Sequence, residues 1–127
     1  AGQGLDREAL LRLGARAARA NAALADATEK ARPGVIRKTQ ARETVFDAAG
    51  LAALPLEILQ RMLAAEIVRI APGAPLRLER LERAALRLAE ALASGAPLRL
   101  TIAELLLEAR GETVTLRPAP ARRAPPG

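Results

Sequence analysis

Leu54-Pro55-Leu56-Glu57-Ile58-Leu59-Gln60-Arg61 opens the stretch that decides the fold, and that stretch runs on to Arg117. Proline is tolerated in the first turn of a helix, where the missing N–H has no intrahelical partner to lose, so Pro55 marks a helix start. Beyond it Leu59, Leu63, Ile67 and Ile70 recur at helical spacing, with Ile58 and Met62 beside them. Ala71-Pro72-Gly73-Ala74-Pro75 stops this helix. A second runs from Leu76 to about Ser94, with Leu78, Leu81, Ala85, Leu88 and Leu92 predicted to be buried, and Gly95 and Pro97 end it. The hydrophobic period then switches from helical to two. Leu98, Leu100 and Ile102 alternate as in a half-buried strand. Leu105–Arg110 and Thr113–Arg117 flank Gly111-Glu112, which reads as a hairpin tip where glycine supplies positive φ.

Upstream, Leu5 to about Arg32 reads as one long helix, charged at its start by Asp6 and ended by Pro33-Gly34. Leu10, Leu13, Ala17, Ala20, Leu24 and Ala27 form a narrow seam, expected to pack into the core. The alternative is a strut between two domains, whose seam is exposed in this chain alone or covered by a second copy. From Val35 the period changes. Val35–Gln40 and Thr44–Asp47, joined through Ala41-Arg42-Glu43, are rich in strand-forming Thr, Val, Ile and Phe and predict a short hairpin, with continuous helix as the rival. Gly50–Leu54 is a turn or a short helical piece. The expected fold is therefore α+β and mainly α: a long N-terminal helix, two further helices and two small β-hairpins. It divides into a linker helix (1–32), a small helical and hairpin domain (33–117) and a disordered Pro/Arg tail (118–127).

A chain of 127 residues is one domain by length. Phe46 is its single aromatic residue, so the core must be built from Leu, Ile, Val and Ala. No apolar run is long enough to span a membrane, and no signal-peptide pattern opens the chain. The lack of Cys removes any disulfide framework and fits a cytoplasmic protein. With no His, no Cys and only Ser94 as serine, a Ser/His/Asp or Cys/His nucleophile and a Cys/His zinc site are excluded. Neither a Walker-type phosphate loop nor a G-x-G-x-x-G turn is present, and the Ser-Gly-Gly-x-Asp-Ser loop of PP-loop ATPases is absent too. No catalysis, cofactor or metal is expected of this chain by itself.

The formal net charge is +6, carried almost wholly by Arg, with Lys30 and Lys38 the only lysines. A GC-rich genome enriches Arg together with Ala, Gly and Pro. An anionic partner selects Arg because its planar fork matches phosphate. Arrangement decides between these. Projected at roughly 100° per residue, Arg77, Arg80, Arg83 and Arg87 fall on one flank of the Leu76–Ser94 helix, with Glu79, Glu82 and Glu90 towards the other. Arg99, Arg110 and Arg117 could extend that footprint across the strands that follow. One reading is a solvated face laced by pairs such as Glu79–Arg83; the other is a nucleic-acid backbone site. No aromatic residue interleaves with these arginines, so base stacking is not expected and recognition should be of backbone and shape, as in a folded RNA stem.

Gly4-Leu5-Asp6 with Arg16, Ala17, Arg19, Ala20, Asn21, Ala22, Ala23 and Leu24 resembles the linker helix of the bacterial tRNA(Ile)-lysidine synthetases, the TilS or MesJ family. Leu54, Pro55, Ile58 and Arg61 resemble the start of that family's next helix. Thr101-Ile102-Ala103-Glu104 falls where the family often has Thr-Leu-Gly-Gly, so Ala103 and Glu104 stand at glycine positions. The resemblance covers most of the chain and is clearest from Leu54 onwards. It implies the substrate-handling tail of a ligase that uses ATP to join lysine to the wobble cytidine of an isoleucine tRNA. The implied partners are tRNA, contacted through the arginines above, and an N-terminal ATPase domain, absent from this chain, that would bind ATP, lysine and magnesium. Two other classes stay open. One is a DNA-binding helix-turn-helix built on the two helices around Ala71–Pro75; the other is a protein-interaction domain using the Ala-rich seam of the first helix.

Overall fold

The computed structural model describes residues 7–120; the Leu5-Asp6 helix start and the tail from Ala121 onwards lie outside the described residues. Four helices, α1 (Arg7–Val35), α2 (Ala48–Ala52), α3 (Leu56–Ile70) and α4 (Leu78–Ser94), accompany five strands. The strands are β1 (Ile36–Gln40), β2 (Glu43–Asp47), β3 (Leu98–Ile102), β4 (Leu105–Arg110) and β5 (Thr113–Pro118). The architecture is α+β with a long first helix, as the hydrophobic periods predict.

The hairpins do not stand apart. β2 pairs with β5 through Thr44↔Leu116, Val45↔Thr115, Phe46↔Val114 and Asp47↔Thr113, which fuses everything into one antiparallel sheet of order β1-β2-β5-β4-β3. Strand alternation explains the merger. Phe46, Leu107, Val114 and Leu116 point to one face and are almost fully buried against Leu59, Leu63 and Ile67 of α3 and Leu88 of α4. Two separate hairpins would leave that apolar face half covered.

Two boundaries and one burial pattern differ from the sequence reading. Helix α1 continues through Pro33-Gly34 to Val35. Pro33 forfeits the i→i−4 hydrogen bond a helical N–H would make, a cost that the burial of Val35 at 4% exposure helps to offset. There Gly50 approaches so closely that a Cβ on it would sit 2.7 Å from the Gly34 carbonyl oxygen. Helix α4 starts at Leu78, not Leu76, and Leu78 is 63% exposed. Its buried stripe turns towards Ala84 and Ala91, while Leu76, ahead of the helix, packs against the core. The largest difference lies in the α1 seam. Leu10, Leu13, Ala17 and Ala20 are exposed, and burial begins only around Leu24 and Thr28. The first turns of α1 overhang the body, so core packing is not what this seam does within the chain.

Besides Val35 in the core and Ala31 packed against it, polar contacts fix α1 to the body. The Glu66 carboxylate of α3, 1% exposed, accepts from Arg32 of α1 (3.0 Å), Thr44 of β2 (2.7 Å) and Arg69 of α3 (3.0 Å). Arg69 then donates to the Gln40 carbonyl at 2.7 Å and the Glu43 carbonyl at 3.3 Å, closing the β1–β2 turn. Arg61 of α3 also donates to the Asn21 side chain. Buried charge survives because every polar atom in the cluster is partnered.

Candidate nucleic-acid interface

The candidate interface grows from α4 and the sheet edge beside it. Helix α4 has no side-chain cap at its start and ends on Gly95, whose φ of 71° is the left-handed C-cap conformation that glycine adopts without strain. Leu81, Ala84, Ala85, Leu88 and Ala91 anchor it to the core. That stripe fixes the rotation of the helix. Arg80, Arg83 and Arg87 are thereby held along the flank facing β3, where Leu98, Leu100 and Ile102 pack inwards. Together with Ala84, Leu100, Thr101 and Ile102 they line a groove of about 270 Å³. Arg77 and Arg80 border its continuation around Pro75, Leu76 and Ala103.

Ion pairing among the described residues engages some cations and leaves others without a carboxylate. Lys30 pairs with Asp26 (2.9 Å), Arg32 and Arg69 with Glu66, Arg37 with Asp47, and Arg117 with Glu108 (3.5 Å). Among the described residues none of Arg77, Arg80, Arg83, Arg87, Arg99 or Arg110 lies within ion-pair distance of a carboxylate. The Glu79–Arg83 pair that spacing allows is not formed. All six are exposed.

The seven arginines singled out from the sequence fall in two places. Arg80, Arg83 and Arg87 share the α4 flank, while Arg77, placed on that flank by the sequence reading, is the extended N-cap residue ahead of the helix and meets Arg80 at the groove's continuation. Arg99, Arg110 and Arg117 lie on the opposite face of the sheet, because Leu98, Leu100, Leu107, Ala109, Val114 and Leu116 occupy the helix-covered face and neighbours alternate. Arg99 belongs to the edge strand β3, so it stands just across that edge from the α4 row. Arg117 is held by Glu108. Leu100, Thr101 and Ile102, which form the groove wall opposite α4, were read from the sequence only as strand residues; no pattern in the chain says that β3 ends the sheet.

Two details of the surroundings bear on the site. Ala103 and Glu104, joining β3 to β4, have φ of 51° and 66°. Glycine fills such positions without cost, and other L-residues do so under strain. At the far side of the sheet the Asp47 carboxyl accepts from the Gly50 backbone N–H at 2.8 Å and from the Arg37 guanidinium, and both hold it below its ordinary range. Asp47 thus caps α2 and stands apart from the groove. Among the described residues no helix is long and apolar enough to cross a membrane.

No family model, curated protein or solved structure matches this chain.

Proposed function

We propose that this chain is the tRNA-handling part of a cytoplasmic ATP-dependent ligase of the tRNA(Ile)-lysidine synthetase kind, gripping the RNA backbone along α4. The observation that carries the reading is the row Arg80, Arg83 and Arg87 on one helix flank, with Arg77 at the N-cap: four guanidinium groups beside an open groove and its continuation, with no carboxylate partner among the described residues. Arg12, Arg16, Arg19 and Arg42 also have no carboxylate within ion-pair distance among the described residues, so what sets the α4 row apart is its clustering beside the groove. Guanidinium groups displace counterions from phosphate, and that release drives backbone binding without reading sequence. Arg99 and Arg110 are weaker candidates on the far side of the β3 edge, and Arg117 weaker still because Glu108 engages it.

The loop at Ala103-Glu104 adds support. Its two positive φ values are the conformation expected where the resembling family carries Gly-Gly. The exposed α1 seam suits a linker helix lying against an ATPase domain. Nothing in these residues forms a loop that would hold ATP, so the ligation chemistry would belong to that domain.

Replacing Arg80 and Arg87 together by Ala tests the reading, since neither is buried and the fold should survive. Binding of tRNA should weaken, and the log–log salt slope should fall by about 0.7 to 0.9 for each phosphate that is no longer neutralised. Unchanged affinity with an unchanged slope would mean that this flank is only a solvated surface.

A further inference from the structure

A sheet of five strands has two edges, and the two are treated differently here. Edge strands present unpaired backbone groups that invite another strand unless something blunts them. The β1 edge is blunted: its register breaks between Ile36 and Lys38, Lys38 sits beside the break, and Arg69 occupies the Gln40 carbonyl. The β3 edge is not. Leu98 to Ile102 pair with β4 in five consecutive registers without a bulge.

Hairpin geometry identifies the free groups. The β3–β4 turn has two residues, Ala103 and Glu104, both at positive φ, so Ile102 and Leu105 form its closing hydrogen-bonded pair. Alternation makes Leu100–Leu107 and Leu98–Ala109 bonded pairs as well. Arg99 and Thr101 therefore turn their N–H and C=O away from β4, and both residues are exposed. Next to them lies the groove with an apolar floor at Ala84, Leu100 and Ile102 and a guanidinium wall at Arg80, Arg83 and Arg87.

We propose that the β3 edge accepts an extended acidic polypeptide segment of a partner protein as an added strand. Its backbone would bond Arg99 and Thr101, with alternate side chains resting on the groove floor and its carboxylates meeting the unpaired guanidinium groups. The charge of the wall selects this occupant. A second copy of the chain paired edge to edge brings two arginine rows together. The chain's own tail from Pro118 is rich in proline, contains no acidic residue and carries Arg122 and Arg123. This strand-addition site goes beyond the tRNA reading and uses some of the same arginines, so peptide and tRNA compete.

The test uses the full chain, isotope-labelled, with a synthetic peptide of about nine residues alternating glutamate and valine. Amide hydrogen exchange should slow at Arg99 and Thr101 and stay unchanged at Leu100, whose N–H already bonds Leu107. A peptide with lysine in place of glutamate should bind at least about tenfold more weakly. Thr101→Pro removes one outward donor at a position where an edge strand tolerates proline, so the acidic peptide should bind at least about tenfold more weakly to this variant than to the wild-type chain. Should that variant misfold, the alternating exchange pattern of the wild-type chain decides. The proposal is overturned if the acidic peptide leaves Arg99 and Thr101 unprotected. It is equally overturned if that protection arises from protein concentration alone, which assigns the edge to a second copy, or from tRNA but not peptide, which assigns it to RNA.

Discussion

Glu66 offers the sharpest check on what holds this fold together. Its carboxylate is 1% exposed and accepts from Thr44, Arg32 and Arg69, drawing α1, α3 and the β1–β2 hairpin to one point. Burial pushes its pKa up, but the hydrogen bonds from Thr44, Arg32 and Arg69 outweigh burial and leave it below the ordinary 4.5. Glu66→Ala removes the anion and leaves two guanidinium groups facing an apolar gap. Breaking a buried pair from one side costs about 3–5 kcal/mol. The side chains of Arg32 and Arg69 are 26% and 34% exposed, so water can reach them after the loss, and the lower end of that range, about 3 kcal/mol, is expected. With a urea m-value of about 1.5 kcal/mol/M for a domain of this size, the midpoint should fall by about 2 M.

The acid dependence gives the sign. A carboxylate with a depressed folded pKa contributes stability that is complete above its unfolded pKa and is lost as pH falls through the folded one. The gap between wild type and Glu66→Gln should therefore be full at neutral pH and shrink as pH drops below about 4.5. Urea titrations at several pH values, followed by helical circular dichroism, measure both effects. A midpoint unchanged at neutral pH, or a gap that stays constant into acid, would refute the assignment of Glu66 as a charged structural hub.

Two further outcomes follow from the backbone and from α1. Ala103→Gly and Glu104→Gly each relieve a left-handed residue and should stabilise the domain by about 1 kcal/mol in denaturant titrations; a loss of stability would contradict the strain assigned to that turn. The overhanging seam at Leu10 and Leu13, 54% and 59% exposed, should either draw two copies together in sedimentation or fray. A monomer with slow amide exchange from Leu10 to Leu13 excludes both, and Leu10→Gln with Leu13→Gln should abolish any association.

How much of this was legible in the chain depends on the range of the physics. Local signals read well: Pro55 before a leucine stripe, Gly95 after one, and the two-residue alternation at Leu98, Leu100 and Ile102 each mark the element found. Long-range pairing read poorly. Nothing near Thr44 or Leu116 announces that β2 and β5 lie side by side, since register between distant strands is chosen by the shared apolar face. The α1 seam misled for a related reason. A stripe of Leu and Ala shows that a helix has an apolar face, but not whether this chain supplies the cover. Glu66 was invisible because an acid in a run such as Leu63-Ala64-Ala65-Glu66-Ile67 reads as a surface residue until Arg32, Thr44 and Arg69 are brought around it.

The arginines of α4 show why composition and placement have to be argued separately. A GC-rich genome scatters guanidinium groups, and a folded chain consumes many of them: Arg32, Arg37, Arg69 and Arg117 all end on carboxylates. What composition cannot produce is segregation. Glu79, Glu82 and Glu90 share the helix with Arg80, Arg83 and Arg87, yet the core stripe through Leu81, Ala85 and Leu88 turns the arginines towards β3 and leaves them unpaired among the described residues. Clustering like charges costs free energy unless an anion offsets it. Removing cations from that row should then stabilise the free domain slightly while weakening its grip on the anionic partner. The two effects have opposite signs, so the Arg80→Ala, Arg87→Ala pair can be read for both: an unfolding midpoint that rises or holds, with tRNA affinity that falls, marks a binding surface. A midpoint that falls with unchanged affinity marks those arginines as part of the scaffold.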